Sequence, residues 1–197
     1  MLSMVGIKDN RRTQYTKKVI REAFIELLAE KNLQDITVTE ITHKADINRG
    51  TFYNYYQDSI DLFQVIESEL TAEILPLIKL RTSDNLVDWL QRFITILDKN
   101  KVISLTLLKN NTTSYLLETI FSEVRDLALA EFRRMFKEED PRLLDYFFTY
   151  FVKGTIGTLV EWMSNEDGTT AADISLVIAK VLPSMGHSYF NDSINTV

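Results

Sequence analysis

Apolar side chains recur along nearly the whole chain at the three- and four-residue intervals of an α-helix, and no segment shows good strand alternation. The clearest early stripe consists of Val19, Ile20, Ala23, Phe24, Leu27 and Leu28. A stripe of this kind buries one side of a helix against neighbouring helices. The chain is therefore predicted to be all-α.

Composition narrows the class of protein. The 197 residues are 45% hydrophobic and 25% charged, which is ordinary globular usage with room for one large or two small domains. Cysteine is absent, so disulfides, thiolate metal sites and cysteine nucleophiles are excluded.

The N-terminus lacks the apolar run of a signal sequence, and we expect a cytoplasmic protein. The most membrane-like window, 146–163, contains Lys153 and Glu161 and is predicted to be a buried helix.

Charge is divided unevenly along the chain. Residues 1–57 contain 9 Lys and Arg against 7 Asp and Glu, a net charge of +2, whereas the remainder contains 13 against 21, a net charge of −8. The two regions are therefore expected to meet different partners. A net charge of +2 is weakly basic, so any interface with nucleic acid must come from where the basic side chains lie.

The sequence after the first helix carries the signals of two short helices joined by a tight turn. The first helix should end near Asn32. Thr37 and Glu40 then fit a capping box, in which each side chain bonds the other residue's backbone N–H. A turn at Asp46 leads to Asn48, a preferred N-cap residue. Two helices of about nine residues each are predicted, and they form a helix-turn-helix.

The third helix is predicted to have two different faces. Ile47, Phe52 and Tyr56 share one side, which packs on the first two helices. The other side presents Arg49, Gly50, Thr51, Tyr53, Asn54 and Tyr55. Arg can donate two hydrogen bonds to guanine, Gly lets the backbone approach, and Thr and Tyr hydroxyls reach phosphate oxygens. This side is predicted to read DNA; the alternative is that Tyr53 and Tyr55 are half-buried packing residues.

Over residues 15–65 the chain resembles the N-terminal signature of the TetR family of transcriptional regulators. The matching residues are Thr37, Val38, Ile41, Ala45, Ile47, Gly50, Thr51, Phe52, Tyr53, Tyr56, Leu62 and Phe63. The resemblance implies a helix-turn-helix DNA-binding domain at 1–57, a linking helix at 58–80, and a helical ligand-binding and dimerisation domain at 81–197. By position, the implied DNA contacts are Arg49, Gly50 and Thr51 in the major groove, Tyr53, Asn54 and Tyr55 on bases and phosphates, and Thr37 and Thr39 on the DNA backbone.

Three positions depart from the family pattern. Asp46 and Asn32 stand where glycine is frequent, and Asp tolerates the left-handed conformation less well than glycine does. Ser59, beside Asp58, stands where a lysine is usual at the start of the fourth helix. That replacement removes one expected phosphate contact and places an acidic residue nearby.

Further helices are predicted at about 86–99, 102–109, 114–137, 141–164 and 170–183. The fourth helix starts near Asp58 and is expected to kink or end at Pro76. Polar segments at 81–85 and 110–113 break the chain, and the first of them is the expected boundary between functional regions. The helix that begins at Pro141 is apolar on most sides and should be buried on most sides.

The later helices contain candidates for two further sites. A ligand cavity would draw on Trp89, Phe93, Tyr115, Phe121 and Phe151. Gly154 and Gly157 each cost roughly 1 kcal/mol against Ala in a helix interior, which indicates a close helix approach. The family pattern implies that their helix forms a dimer interface, to which Trp162 and Met163 are suited. An intramolecular helix crossing is the alternative.

Enzyme and metal sites find no support, because His43 and His187 are the only histidines, and no nucleotide-binding or nucleophile motif is present. No cofactor and no membrane partner is expected.

The residues and the resemblance together predict a homodimeric transcriptional repressor. It binds a palindromic operator of double-stranded DNA and is released by a small-molecule effector. Two alternatives stay open: an activator whose C-terminal domain binds a partner protein, and a small-molecule carrier with a vestigial DNA module.

Overall fold

The computed structural model describes residues 5–79, 86–109 and 114–181, and within these ranges it forms nine α-helices, one short 3-10 helix and no strand. The α-helices are α1 (Val5–Glu30), α2 (Val38–Lys44), α3 (Arg49–Tyr53), α4 (Ser59–Lys79), α5 (Leu86–Lys99), α6 (Lys101–Lys109), α7 (Tyr115–Phe136), α8 (Pro141–Ser164) and α9 (Ala171–Val181). The 3-10 helix is Leu33–Asp35. The prediction of an all-α fold is confirmed.

The chain divides into two compact units, Met1–Glu67 and Ser68–Val197, and the boundary falls within α4. The predicted breaks at 81–85 and 110–113 lie outside the described residues, as does the predicted end of the last helix near Pro183. The division by function at residues 57 and 80 therefore stays a prediction.

The first unit is built around aromatic and branched side chains. α1 packs against α2, and α2 packs against α3. Phe24, Ile41 and Leu62 are fully buried, and the rings of Phe24 and Phe63 meet edge to face with their centres 6.4 Å apart. Because Ile20 and Phe24 are both buried, the predicted apolar stripe of α1 faces this core.

The second unit contains a seam of aromatic rings between α7 and α8. The rings of Phe136 and Phe147 stack with their centres 4.3 Å apart. The other ring pairs across the seam are Phe132–Phe151 at 6.1 Å and Phe121–Phe148 at 6.4 Å, both edge to face. α6 also packs against α8, and α9 packs against both α5 and α8.

α4 continues through Pro76 to Lys79, so the proline does not end the helix. A proline inside a helix removes one backbone hydrogen bond and crowds the preceding turn. Ile74 and Ile78, on either side of it, are 0% and 1% exposed. Their burial holds both adjoining turns in helical geometry.

α8 is less buried than its apolar sequence predicted. Its buried side chains are Leu144, Leu159 and Met163, whereas Leu143, Tyr146 and Tyr150 are 45%, 73% and 78% exposed. The prediction of burial on most sides is wrong for the single chain, because α6, α7 and α9 leave one side of α8 uncovered. None of the described helices, α8 included, combines the length and the hydropathy that a membrane span requires.

The turn between α7 and α8 depends on a left-handed residue and a helix cap. Lys137, the C-cap of α7, has a φ of 53° and a ψ of 38°, a conformation that a Cβ atom disfavours. Asp140 caps α8 by accepting a hydrogen bond from the Arg142 N–H at 2.9 Å, and Pro141 follows it, as predicted. The conformation of Lys137 was not predicted, because glycine is the usual residue at such a position.

Replacing Lys137 with glycine should stabilise the second unit by about 0.5–1 kcal/mol, because glycine adopts this backbone conformation without strain. Urea unfolding followed by circular dichroism measures the change. Lys137→Ala is the matched control, since it removes the side chain but keeps the Cβ atom that causes the strain. Equal unfolding midpoints for the glycine and alanine variants would contradict this explanation.

Candidate nucleic-acid interface

A capping box between Thr37 and Glu40 fixes the start of α2. Thr37 Oγ1 accepts a hydrogen bond from the Glu40 N–H at 3.3 Å, and Glu40 Oε2 accepts one from the Thr37 N–H at 3.0 Å. Lys31 donates to the other carboxylate oxygen, and the bonds from Lys31 and Thr37 lower the pKa of Glu40 from 4.5 to about 2. The predicted capping box is confirmed, and Thr37 and Thr39 both stay exposed.

Asn48 fixes the start of α3, as predicted. Its Oδ1 accepts hydrogen bonds from the Thr51 N–H at 2.7 Å and from the Thr51 hydroxyl at 3.0 Å. Asp46, two residues earlier, has a φ of 51°, so the turn does adopt the left-handed conformation. A Cβ atom at Gly50 would lie 3.3 Å from Asn48 Oδ1, closer than an ordinary contact. Because it has no side chain, Gly50 leaves room for the Asn48 cap. It also lets another molecule approach the backbone of α3 closely.

Both helices of the motif are shorter than the predicted nine residues: α2 has seven and α3 has five. The α-helix ends at Tyr53 and Asn54 is its C-cap, so Tyr55 and Tyr56 lie beyond the end of α3. Phe52 is 0% exposed, Tyr56 is 7% exposed, and their ring centres are 5.6 Å apart. Phe52 and Tyr56 are thus buried as predicted, whereas Ile47, the third residue predicted for the packing side, is half-buried.

The outer face of α3 presents four exposed residues, Arg49, Gly50, Tyr53 and Asn54. The Tyr53 side chain is 51% exposed, and its hydroxyl accepts a hydrogen bond from Arg49 Nη2 at 3.5 Å, the outer limit for such a bond. Its ring also meets the buried Phe52 ring edge to face at 5.8 Å. Two side chains predicted to read DNA are therefore neighbours on one exposed surface.

Tyr55 has a mixed environment. It is half-buried, as is Thr51, so both are less open than predicted. The Lys17 Nζ atom of α1 lies 5.8 Å from the centre of the Tyr55 ring, and the Tyr55 and Tyr56 ring centres are 6.4 Å apart. Tyr55 is thus partly packed and partly accessible to solvent. The place of Lys17 beside it was not predicted, because the contact joins residues far apart in the sequence.

Asp58 and Ser59 have structural roles at the position where the family pattern usually has a lysine. Asp58 Oδ1 accepts a hydrogen bond from the Asp61 N–H at 2.8 Å, and Asp61 Oδ2 accepts one from the Gln57 N–H at 2.8 Å. These bonds cap the start of α4, and Ser59 is only 9% exposed. The departure therefore replaces a basic side chain with a capped helix start.

Lys44, at the end of α2, forms ion pairs with two glutamates of α1. Lys44 Nζ lies 3.0 Å from Glu26 Oε2 and 3.6 Å from Glu30 Oε1 on α1. The hydrogen bond to Glu26 raises the pKa of Lys44 above its ordinary value. Its ammonium group is thus paired with two carboxylates of α1. Arg49 and Lys17 are the basic side chains that the structure places beside the tyrosines.

Packing partners account for most of the aromatic residues predicted to bind a ligand. Trp89 and Phe93 stack with ring centres 5.7 Å apart, and the Trp89 indole N–H donates to the Leu77 carbonyl at 2.7 Å. Phe121 and Phe151 belong to the seam between α7 and α8. Tyr115, at 59%, is largely exposed.

An open cavity of about 430 Å³ lies between α8 and α9. Its lining residues are Gly157, Thr158, Glu161, Trp162, Asn165, Asp167, Thr169 and Ile174. None of the five aromatic residues predicted to bind a ligand is among them. In the described part of the chain, no group of three or more His, Asp or Glu side chains could hold a metal ion.

The four residues predicted to form a dimer interface have different surroundings. Gly154 and Gly157 are exposed, and apart from the adjacent residues and backbone of α8 itself no described atom lies within 4 Å of the point where a Cβ atom would stand. The alternative of an intramolecular crossing therefore finds no neighbour among the described residues. Trp162 is half-buried, and its N–H donates to the Thr169 carbonyl at 2.8 Å. Met163 is 1% exposed, so its assignment to a dimer surface is corrected: its side chain lies in the core of the second unit.

Comparison with known proteins identifies one family model and several relatives of this chain. Residues 84–184 match the family model TetR_C_8, described as a transcriptional regulator C-terminal region. YxbF of Bacillus subtilis (strain 168), an uncharacterized HTH-type transcriptional regulator, is 35% identical over 77 residues, which are 39% of this chain and 20% of YxbF. DhaS of Lactococcus lactis subsp. lactis (strain IL1403), the HTH-type dhaKLM operon transcriptional activator, is 34% identical over 65 residues, which are 33% of this chain and 35% of DhaS. The chain thus spans well under half the length of these two relatives.

Solved structures share the fold over most of their length. A TetR transcriptional regulator from Streptococcus agalactiae 2603V is 23% identical with a TM-score of 0.63, covering 90% of this chain and 98% of its own. A transcriptional regulator from Aquifex aeolicus VF5 is 20% identical with a TM-score of 0.59, covering 86% of this chain and 99% of its own. These similarities support the fold.

Glu40→Gln should destabilise the first unit at neutral pH, because glutamine lacks the negative charge that pairs with Lys31. The folded-state pKa of Glu40 is about 2, below its ordinary 4.5, so the carboxylate stabilises the fold above pH 4.5 and loses this effect as the pH falls toward 2. Urea midpoints of the parent and variant should converge over that range. Glu22→Gln, at an exposed position of α1, is the control. A difference that stays constant down to the lowest pH would count against this linkage.

Proposed function

Because the chain belongs to the TetR family of helix-turn-helix transcriptional regulators, we propose that it is a repressor that binds a palindromic operator as a homodimer and leaves it when a small-molecule effector binds. The outer face of α3 carries this proposal, since Arg49 and Tyr53 lie exposed over the buried Phe52. A regulator of this kind works in the cytoplasm.

The residues of the outer face match the chemistry of a DNA groove. Arg49 begins α3, and its guanidinium can donate two hydrogen bonds to the O6 and N7 atoms of a guanine. Gly50 lets the helix backbone approach the bases closely. Tyr53 adds a hydroxyl for a phosphate oxygen and a ring edge for a thymine methyl group. Thr37 and Thr39, exposed at the start of α2, are suited to the DNA backbone.

Dimerisation sets the spacing of the two reading helices. In a twofold dimer they would lie about 34–36 Å apart, one turn of DNA, and the operator would be a palindrome. An effector that binds better to an arrangement with another spacing lowers operator affinity, by no more than its differential affinity for the two arrangements. The five aromatic residues Trp89, Phe93, Tyr115, Phe121 and Phe151 remain the predicted contacts of this effector.

An activator is the second candidate function, because DhaS is a transcriptional activator and is similar to this chain over 65 residues. In that case the second unit would bind a partner protein rather than a small molecule. Removal of the regulator would then lower transcription from a reporter placed behind the operator, whereas removal of a repressor would raise it. Thermal-shift screening with small ligands, set beside a pull-down, separates the two kinds of effector.

Selection of bound fragments from the source genome is the experiment that tests the proposal. The expected result is enrichment of a palindromic site, with a change in reporter transcription when the chain is removed. If no fragment is enriched, the regulator proposal fails and the small-molecule carrier with a vestigial DNA module becomes the better explanation.

Arg49→Ala and Tyr53→Ala should each weaken operator binding by about 1–3 kcal/mol and leave the chain folded, since both side chains are exposed. Fluorescence anisotropy with labelled operator measures the affinity, and circular dichroism checks the fold. Arg92→Ala and Tyr146→Ala, at exposed positions of the second unit, are the matched controls. Unchanged affinity in both α3 variants would refute the assignment of the reading face.

Operator affinity should fall steeply with salt concentration, because phosphate contacts release counterions. Lys17→Ala should make the slope of log affinity against log salt shallower by about 1, since Lys17 stands at the edge of the reading face beside Tyr55. Lys99→Ala, exposed at the end of α5, should leave the slope unchanged. An identical slope for Lys17→Ala and the parent would mean that Lys17 contacts the Tyr55 ring and not a DNA phosphate.

A further inference from the structure

The positive charge of the first unit is concentrated in the first 18 residues of the chain. These contain 5 Lys and Arg against 1 Asp, a net charge of +4, whereas residues 19–57 contain 4 against 6, a net charge of −2. The two parts together give the net charge of +2 of residues 1–57. Without its first 18 residues, the region that holds the helix-turn-helix would therefore have the same sign of charge as DNA.

Two of the four basic residues in 19–57 are paired with acidic side chains. Lys31 pairs with Glu40 of the capping box, and Lys44 pairs with two glutamates of α1. Arg49 lies on the outer face of α3 beside Tyr53. The motif itself thus has little positive charge to offer to the phosphates around the groove that α3 would enter.

The basic half of α1, residues 5–18, lacks the packing that supports the remainder of that helix. The buried side chains of α1 begin at Ile20, and within the basic half none of residues 11–18 is buried. Tyr15 is 67% exposed, in the midst of the basic residues. Because most of the stability of a helix in a protein comes from packing one of its faces, this part of α1 gains little from the first unit.

The charge of the basic half also opposes the dipole of its own helix. The N-terminus of an α-helix carries a partial positive charge, which acidic side chains offset and basic ones reinforce. The first turn of α1 contains no acidic residue. An anion bound beside the basic half would relieve the repulsion among its side chains and stabilise the helix end. The charge pattern therefore indicates an anionic partner.

The position of the basic half indicates that this partner is DNA. Lys17, within it, lies with its Nζ atom 5.8 Å from the centre of the Tyr55 ring, at the edge of the face predicted to read DNA. From Lys17 the helix continues 12 residues to its first residue, Val5, a length of about 18 Å. Over such a length a DNA duplex presents about ten phosphate charges, one per about 1.7 Å. The exposed basic surface is thus continuous with the predicted reading face.

Resting on the DNA binding of the proposed function, we propose that the basic half of α1 binds the phosphate backbone of double-stranded DNA whatever its sequence. Arg11, Tyr15 and Lys18 are spaced four and three residues apart and share one exposed side, which Arg12 extends. The basic side chains pair with phosphates, and the Tyr15 hydroxyl donates a hydrogen bond to a phosphate oxygen. Lys18 exchanges its exposed pair with Glu22, 3.7 Å away, for a phosphate. α3 then adds sequence selection to the affinity that the basic half supplies.

Arg11→Gln, Arg12→Gln and Lys18→Gln, combined in one chain, test this proposal, because they remove three charges and keep a similar helix propensity. Fluorescence anisotropy measures affinity at several salt concentrations for labelled operator and for a scrambled duplex of equal length. The slope of log affinity against log salt should become shallower by about 2–3 on both duplexes. The ratio of the two affinities should stay unchanged, because phosphate contacts carry no sequence information.

Two control chains show whether the position and the charge are what matter. Arg92→Gln, Lys99→Gln and Lys109→Gln, combined, remove three exposed charges from the second unit and should leave the slope unchanged. Arg11→Lys with Arg12→Lys keeps both charges and should keep the slope of the parent. A slope that falls equally in this lysine variant would show that charge is not the cause and would overturn the proposal.

Tyr15→Ala separates the contribution of the ring from that of the charges. It should weaken binding to both duplexes about tenfold, as loss of a hydrogen bond to a charged group does. The slope should keep its parent value, since tyrosine carries no charge. Tyr146→Ala, at a 73% exposed tyrosine of α8, is the matched control and should leave both affinities unchanged.

The outcomes separate this proposal from the function on which it rests. If the parent binds its operator but the glutamine variant keeps the parent slope on both duplexes, the assignment of the basic half is wrong and the proposed function stands. A lowered affinity ratio in the glutamine variant would also overturn the assignment, because the basic half would then read bases.

Other anionic partners give results of their own. Unaltered slopes together with lost binding to vesicles of phosphatidylserine and phosphatidylcholine would assign the basic half to a membrane surface and overturn the proposal. Unaltered slopes with altered sedimentation would assign it to a second copy of the chain, with the same consequence. A parent chain that enriches no genomic fragment and binds neither duplex overturns the proposed function together with this proposal.

Discussion

The burial of Phe52 decides what the outer face of α3 can present. A helix of five residues does not form by itself in water, because the first turn fixes several residues for a single hydrogen bond. α3 exists because Phe52, fully buried, attaches it to the core of the first unit, and because Asn48 closes its first turn. Once these two points are fixed, Arg49 and Tyr53 come together on the exposed side. The face predicted to read DNA therefore depends on the packing of a buried side chain that faces the core.

The features of this motif that could be predicted from the sequence are local ones. The caps join residues three apart, Thr37 with Glu40 and Asn48 with Thr51, so residue type and spacing are sufficient to find them. The lengths of α2 and α3 could not be found this way, because they depend on where the packed core stops supporting each helix. The contact of Lys17 with the Tyr55 ring joins α1 to the turn after α3 and likewise leaves no local pattern.

In the second unit the positions of the helices could be predicted from the sequence, but the residues that line a ligand cavity could not. Observed α5, α6 and α7 begin and end within one residue of the predicted 86–99, 102–109 and 114–137. Apolar periodicity marks the buried side of a helix, but it cannot separate an aromatic ring that packs on another helix from one that lines a ligand cavity. Only the fold shows that Phe121 and Phe151 meet other rings and that the Trp89 N–H is bound to a carbonyl.

α8 shows why a single chain can leave a sequence unexplained. Its apolar residues indicate burial, yet Tyr150 is the most exposed large hydrophobic side chain in the described ranges. Two glycines in the same helix lower its stability, and their own unit gives no steric reason for them. In the dimer of the proposed function, a second chain lying on this side of α8 would cover the ring and the bare backbone together, so one contact would offset both penalties. Such a contact forms only when two chains meet, so the paired state depends on protein concentration. In the proposed function a palindromic operator is recognised by that paired state, so contacts on α8 would govern DNA binding without touching DNA.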